Sequence, residues 1–200
     1  MTLITHSLLS SWLWTMKDVE RDTQAEFLRV LNREKTEPSE AMLKGIEFED
    51  LVTDIVNGVA VKDGKELNQH KWFSAALKVA DLCAGGQLQL VAKQETVIDD
   101  YPVLLYGRLD CLKAGTIYDI KFSTGYSRGK YIGSTQHPMY LELVPEALEF
   151  TYIVSNGSEV WTETYRRDET MDIRKTVSEF FQWLKNYNLL DLYQEKWQSK

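Results

Sequence analysis

Residues 107–121 hold the pattern that decides the fold, and they read Gly107-Arg108-Leu109-Asp110-Cys111-Leu112-Lys113-Ala114-Gly115-Thr116-Ile117-Tyr118-Asp119-Ile120-Lys121. Strand-like residues stand on both sides of Ala114-Gly115, which predicts two antiparallel strands joined by a tight turn. In that register residue 113 pairs with 116, 111 with 118 and 110 with 119. Asp110 then lies opposite Asp119, and Lys121 projects from the same face two residues further on.

The predicted hairpin brings two carboxylates and an ammonium group together. Two ionised carboxylates that face each other across about 5 Å repel unless a cation lies between them. Oxygen-rich sites suit Mg²⁺, which stabilises charge in phosphoryl transfer. Leu109, Cys111 and Ile120 are expected on the opposite side of the hairpin, towards the core. The alternative is a surface hairpin in which Lys121 and Arg108 form ordinary ion pairs with the aspartates.

The hydropathy pattern predicts helices before this hairpin and a mixture of strands and helices after it. Helices are predicted at 7–17, at 39–56, at 68–82 and after a capping residue at Asp22 or Thr23, and strands at 87–92, 103–112 and 116–122. A short helix at 134–143, two strands at 148–155 and 159–166 and a helix at 168–187 follow. Glu49 lies on an otherwise apolar stripe of the helix at 39–56.

Composition predicts one domain over residues 1–200. A chain of 200 residues with 44% hydrophobic content suffices for one core. We divide it into a mainly helical part at 1–84, the sheet and catalytic core at 85–166, and a C-terminal helix at 167–200. The chain lacks a membrane-spanning apolar run and a basic secretory start, and only Cys83 and Cys111 could form a disulfide. We therefore expect a cytoplasmic protein without membrane association.

The charge distribution indicates a local contact with nucleic acid. A net charge of -7 argues against a protein that coats nucleic acid. Residues 101–140, however, contain five Lys or Arg and only two acids. Arg128 and Lys130 lie in the loop at 123–133 and are candidates for contacts with phosphates, although a solvated loop explains them equally well. The histidines His6, His70 and His137 suggest no zinc site, and only His137 is expected near the carboxylates, as a solvated residue at a helix end.

Four short motifs occur in an order that resembles the PD-(D/E)xK nuclease superfamily, in its RecB-like and phage-type exonuclease branch. They are Thr5-His6-Ser7-Leu8-Leu9-Ser10-Ser11-Trp12, Gly45-Ile46-Glu47-Phe48-Glu49, Asp110 followed by Asp119-Ile120-Lys121, and Gln136-His137-Pro138-Met139-Tyr140. Arg108-Leu109 stands where a proline often precedes the first aspartate of the family. The cysteine set of the iron-sulfur members is absent, so no iron-sulfur cluster is expected.

The resemblance implies an α/β fold of the restriction-endonuclease-like type, with a mixed central sheet flanked by helices and an N-terminal helical extension. It implies that Glu49, Asp110 and Asp119, with the backbone carbonyl of Ile120, ligate Mg²⁺ or Mn²⁺. Lys121 would handle the attacking water.

Gln136 and Tyr140 are four residues apart, and family members use these positions to order the active site and contact the DNA strand. The alternative for Tyr140 is a core aromatic residue.

The function that the resemblance implies is hydrolysis of DNA phosphodiester bonds, with exonuclease action in recombination or repair as the leading subtype. A structure-selective or single-strand endonuclease is the alternative within catalysis. A non-catalytic nucleic-acid-binding module is the alternative outside it, and the intact carboxylates argue against that module because they are costly to keep together. The expected partner is DNA; a recombination protein or further copies of the chain are left open.

Overall fold

The computed structural model describes residues 1–16 and 23–199. Helices fill most of the first 84 residues, as the sequence predicts: α1 (His6–Thr15), α2 (Thr23–Leu31), α3 (Glu40–Val56) and α4 (Phe73–Cys83). The predicted end of the first helix at Lys17 and the cap at Asp22 lie outside the described residues. Three short strands in this part were not predicted: β1 (Thr2–Thr5), β2 (Val61–Lys62) and β3 (Lys65–Glu66).

The remaining strands and helices also follow the predicted order. They are β4 (Gln87–Ile98), β5 (Tyr101–Lys113), β6 (Thr116–Phe122), α5 (Gln136–Leu143), β7 (Glu149–Ser155), β8 (Val160–Arg166), α6 (Ile173–Asn186) and α7 (Leu190–Lys196). Helix α6 begins later than predicted, because Asp172 caps it by accepting from the amides of Arg174 and Lys175. Helix α4 begins later because residues Leu67–Gln69 form a separate 3-10 turn. Helix α7 was not predicted.

The strands form a mixed sheet in which β5 is central. Strand β5 pairs in parallel with β1 and antiparallel with β4 and β6, β6 pairs in parallel with β7, and β7 pairs antiparallel with β8. One hydrophobic cluster joins the sheet to α1, α2, α5, α6 and α7, and a second joins it to α3 and α4. The predicted fold class is confirmed: the chain has a central mixed sheet flanked by helices, consistent with a restriction-endonuclease-like fold.

The turn between β5 and β6 has the predicted register. Residue 113 pairs with 116 and residue 111 with 118. Ala114 and Gly115 have φ values of 49° and 79°, which are those of a tight turn that requires positive φ at both central positions. Alanine adopts this conformation at some cost, and glycine adopts it freely. The ladder ends at the pair of 111 with 118, so Asp110 and Asp119 lie on neighbouring strands but do not form the directly opposed pair that was predicted.

Arg167 ties the end of α5 to the end of β8. Its guanidinium donates to the backbone carbonyls of Leu141, Val144, Pro145 and Ala147 at 2.6 to 3.3 Å. These include carbonyls that a helix leaves without partners at its C-terminus. Arg167 thus holds the helix that carries Gln136 and Tyr140 against the sheet.

We expect Arg167→Ala to lower the free energy of unfolding by about 2 to 4 kcal/mol, because several carbonyls lose a charged donor at once. The measurement is urea unfolding followed by circular dichroism. Arg166→Ala is the matched control, because Arg166 makes one exposed ion pair with Asp168 at 3.4 Å, and it should change stability by under about 0.5 kcal/mol. Equal effects of the two substitutions would contradict this role for Arg167.

None of the helices in the described ranges has the length and apolar character needed to span a membrane.

Candidate active site

A cavity of about 310 Å³ opens where α1, α3, β5, β6 and α5 meet. Every residue that the sequence predicts as catalytic or metal-binding lines it, together with Gln136 and Tyr140. The predicted residues in its wall are Glu49, Asp110, Asp119, Ile120, Lys121, Gln136 and Tyr140. Residues separated by up to 91 positions in the chain are therefore brought to one place by the packing of α3 and α5 on the hairpin.

Asp119 is the most deeply buried carboxylate of the cavity, with 2% of its surface exposed. Its Oδ1 accepts a hydrogen bond from Gln136 Nε2 at 2.5 Å. Its Oδ2 lies 2.7 Å from Lys121 Nζ, in an ion pair. A carboxylate so enclosed depends on this ammonium group for compensation of its charge.

Asp110 interrupts the strand ladder on both sides. Its Oδ2 accepts a hydrogen bond from the backbone amide of Ile120 at 2.7 Å, and the regular pairing of β4 with β5 skips the position where Gln89 would oppose Asp110. Gln89 has a φ of 53°, which is unusual inside a strand. The carboxylate is 8% exposed. A charged side chain is therefore buried at the point where the strand pairing is irregular.

This irregularity corrects one prediction. Leu109 and Cys111 were expected on one face of the hairpin with Ile120. Cys111 and Ile120 do pack in the cluster with α3 and α4, but Leu109 packs in the cluster on the opposite face. The alternation of β5 changes side between Leu109 and Cys111, where the pairing of Asp110 with Gln89 is missing and Gln89 has a positive φ.

The surroundings of Asp110 and Asp119 disfavour the ionised form of both side chains. Burial raises the pKa of Asp110 well above its usual range, and the charges of Asp119 and Glu49 raise it further. Burial also raises the pKa of Asp119, although Lys121 and Gln136 oppose the increase. Burial by itself would lower the pKa of Lys121, but Asp119 and Asp110 outweigh it and raise that pKa. Lys121 therefore keeps its proton near neutral pH.

Glu49 faces the same cavity from α3 with its carboxylate engaged by other groups. Its Oε1 accepts from Gln89 Nε2 at 2.9 Å and lies 3.9 Å from the guanidinium of Arg108. Over residues 1–16 and 23–199, no three His, Cys, Asp or Glu side chains stand close enough to share one metal ion. To join the aspartates at an ion, the Glu49 side chain would have to leave Gln89 and Arg108.

The donor set nevertheless fits a divalent cation of the Mg²⁺ type. Such ions prefer carboxylate and carbonyl oxygens, and Asp110, Asp119 and Glu49 offer three carboxylates in one cavity wall. A cation between Asp110 and Asp119 would offset the burial that raises both pKa values and the repulsion that raises the pKa of Asp110 further. Ligation by these residues and by the carbonyl of Ile120 stays a prediction.

Gln136 and Tyr140 stand on one face of α5, as their spacing predicts. Gln136 is 5% exposed and bonds directly to Asp119. Tyr140 is a core aromatic residue, 4% exposed, and its hydroxyl donates to the carbonyl of Arg108 at 3.1 Å. A Cβ atom at Gly107 would lie 2.6 Å from the ring of Tyr140. The glycine therefore permits this ring to close the wall of the cavity.

Arg128 and Lys130 are not part of this cavity. Both are exposed in the loop that follows β6. Lys130 Nζ donates to Ser123 Oγ at 2.8 Å and to the carbonyl of Gly125 at 3.2 Å, so it stabilises the loop itself. Their contact with DNA stays a prediction.

The histidines are arranged differently from the prediction. His6 lines the cavity, with its ring 5.5 Å from that of Tyr140. Burial, and then the charge of Lys121, lower the pKa of His6 to about 4. His137 was expected to be solvated, but it is 1% exposed and stacks on Tyr165 at 4.1 Å. The expectation for His137 was wrong because the aromatic rings of β7 and β8 cover the start of α5.

Comparisons with known proteins add evidence on the fold. No protein-family model matches the chain, and no curated protein sequence matches it. Among solved structures, the chain is similar to the crystal structure of SSO0001, with 10% identity and a TM-score of 0.55 over 100% of this chain and 89% of that one. It is also similar to LHK-Exo in complex with dAMP, with 12% identity and a TM-score of 0.49 over 96% and 92% of the two chains. At such low identity the likeness to SSO0001 concerns the fold alone.

Proposed function

We propose that this chain is a divalent-metal-dependent nuclease that hydrolyses phosphodiester bonds of DNA, with exonuclease action as its leading subtype. The observation that carries the proposal is the burial of Asp110 and Asp119 in one cavity with Lys121. A cluster of like charges is costly in a folded protein, and such clusters concentrate at functional sites. The resemblance of four motifs to the PD-(D/E)xK nucleases supports the same reading.

The residues of the cavity would have separate roles in hydrolysis. Asp110, Asp119 and Glu49, with the carbonyl of Ile120, would hold Mg²⁺ or Mn²⁺. A cation bound there would stabilise the negative charge that develops on the phosphodiester as water attacks phosphorus and a P–O bond breaks. Because Lys121 is charged, it acts as a hydrogen-bond donor to water or to a phosphate oxygen rather than as the base. Gln136 keeps Asp119 oriented, and Tyr140 closes the wall behind it.

Cleavage of end-labelled linear duplex and closed circular DNA tests this proposal. Wild-type protein and Asp119→Asn are compared with Mg²⁺, with Mn²⁺ and with EDTA. We expect loss of the linear substrate alone, only with metal and only with the wild type. Cutting of the circle would replace the exonuclease subtype by an endonuclease. Absence of cleavage on duplex and single-stranded DNA by folded wild-type protein would overturn the proposal.

A further inference from the structure

Glu163, on β8, is a buried carboxylate outside the cavity that the function above does not use. It is 8% exposed, and it belongs to a row of residues that crosses the sheet. Asp119 is in register with Tyr152 on β7, and Tyr152 is in register with Glu163 on β8. Two strand spacings, roughly 10 Å, therefore separate the backbone of Glu163 from that of Asp119.

The carboxylate of Glu163 fastens the loop at 123–134, which joins β6 to α5. Its Oε2 accepts from the hydroxyl of Tyr126 at 2.8 Å and from the amide of Gly129 at 3.0 Å. Its Oε1 accepts from the amide of Tyr131 at 3.3 Å and from the hydroxyl of Tyr165. Three of these four donors belong to the loop, so one side chain fixes it at three points.

An ionised carboxylate is the group that suits these donors. Both backbone amides can only donate, and each of the two oxygens accepts from one of them. Burial by itself would raise the pKa of Glu163, but the hydrogen bonds from Tyr165, Tyr126, Gly129 and Tyr131 outweigh it and lower that pKa. A glutamine would turn an NH₂ group towards one of the two amides.

Aromatic contacts pack the loop against the sheet near the edge of the cavity. Tyr131 stacks on Tyr152 with ring centroids 4.2 Å apart, and Tyr126 lies 5.4 Å from Trp161. Lys121 Nζ lies 6.0 Å from the ring of the same Tyr152. The ring of Tyr152 is therefore near both Tyr131 of the loop and the ammonium group of Lys121 in the candidate active site.

The outer side of this loop is basic. Arg128 and Lys130 are exposed. Lys130 uses two of its three donors on Ser123 and Gly125, which leaves one for a ligand. A basic loop of fixed shape, beside a site for phosphodiester chemistry, suits the backbone of a nucleic-acid strand.

We propose that Glu163 is a positioning residue that holds loop 123–134 as a preformed surface on which Arg128 and Lys130 contact the phosphates of the DNA strand next to Lys121. The proposal rests on the proposed function for the identity of the ligand. The carboxylate contributes by shaping the loop and has no contact with the reacting atoms.

The test measures DNA binding and loop exposure separately. A fluorescein-labelled single-stranded oligodeoxynucleotide is titrated with protein in EDTA, where binding is read without cleavage. We expect Glu163→Gln to raise the Kd about fivefold or more, as loss of two phosphate contacts does at moderate salt. Limited trypsin digestion should cut faster after Arg128 and Lys130 in this variant, because the loop opens. Glu159→Gln, an exposed carboxylate on the same hairpin, should leave both readouts near those of the wild type.

Two further variants distinguish a specific effect of Glu163→Gln on the loop from a general loss of folding. Arg128→Ala/Lys130→Ala leaves the core and all the bonds of Glu163 in place and should raise the Kd by a similar factor. Tyr126→Phe removes one donor and should speed trypsin cleavage to a smaller extent. With cleaved substrate, Glu163→Gln should raise KM and leave kcat within about twofold, because it removes binding that is uniform between ground and transition state.

An unchanged Kd in Glu163→Gln or in the double variant would overturn the proposal, as would an unchanged trypsin pattern. Wild-type protein that binds the oligonucleotide but cleaves no DNA would sink the proposed function and leave this inference standing. If wild-type protein cleaves DNA and Arg128→Ala/Lys130→Ala has the same KM as the wild type, the proposed function would stand and this inference would be overturned.

Discussion

Asp110→Asn is expected to abolish nuclease activity and to stabilise the protein. The substitution removes a charge from the cavity and keeps an oxygen that can accept from the amide of Ile120. We expect cleavage to fall by about three orders of magnitude or more, equivalent to ~4 kcal/mol of transition-state stabilisation. In EDTA at pH 8, the free energy of unfolding should increase by about 1 to 2 kcal/mol.

The pH dependence of this gain follows from the direction of the pKa shift. The pKa of Asp110 is raised in the folded protein, so the folded state binds a proton more tightly than the unfolded state does. The wild type therefore loses stability as pH rises from the usual aspartate range through the folded pKa. Asp110→Asn lacks that loss, so its advantage should shrink as pH falls from the raised folded pKa towards the usual aspartate range and be lost below about 4.

Thermal unfolding from pH 4 to pH 8 in EDTA measures the effect. A gain of 1 to 2 kcal/mol corresponds to an increase in Tm of about 2 to 8 °C for a chain of this size. Asp81→Asn, which removes an exposed carboxylate from α4, is the control and should shift Tm by little at any pH. A lower Tm for Asp110→Asn at pH 8 would mean that the folded protein does not disfavour the ionised form of Asp110.

Lys121→Met is expected to remove activity and to destabilise the protein. The ammonium group lies 2.7 Å from Asp119 Oδ2, and without it the pKa of Asp119 should rise further. We expect cleavage to fall by about 10² to 10⁴. The cost in stability at pH 8 should be about 1 to 2 kcal/mol, less than for a fully buried pair because 32% of the Lys121 side chain is exposed.

A double-mutant cycle separates the two effects of Lys121. Asp119→Asn/Lys121→Met removes both charges, so most of the lost stability should return while activity stays absent. Lys121→Arg keeps a charge and should stay close to the wild type in stability. If Asp119→Asn fails to restore stability in the Lys121→Met background, the ion pair is not the reason for the loss. Near-normal cleavage by Lys121→Met would remove Lys121 from the active site.

The core of the candidate site was predictable because its signals are local. The turn at Ala114-Gly115 determines the register of β5 and β6, and that register places Asp110 and Asp119 just beyond its last pair, Cys111 with Tyr118. The spacing of Gln136 and Tyr140 determines their common face on α5. Hydropathy with a helical period likewise predicts α3 and the position of Glu49.

What escaped prediction depends on contacts between distant segments. Strand β1 has four residues, too few for a period to be recognised, and its pairing with β5 is what carries His6 into the cavity. Glu163 reads in the sequence as one polar residue of an alternating strand, because its partners in the loop lie 32 to 37 positions away. The distortion at Gln89 has no sequence signal that we recognise, and it moved Leu109 to the unexpected face.

Metal binding by the folded protein is the most direct test of the central claim, that Asp110 and Asp119 form a divalent-cation site beside Lys121. Isothermal titration of metal-free protein with Mn²⁺ at pH 8 measures it, with Asp119→Asn as the matched variant and circular dichroism as the check on folding. The account predicts saturable binding by the wild type that Asp119→Asn loses while it stays folded. Absence of binding by the wild type, or equal binding by the two proteins, would contradict the account.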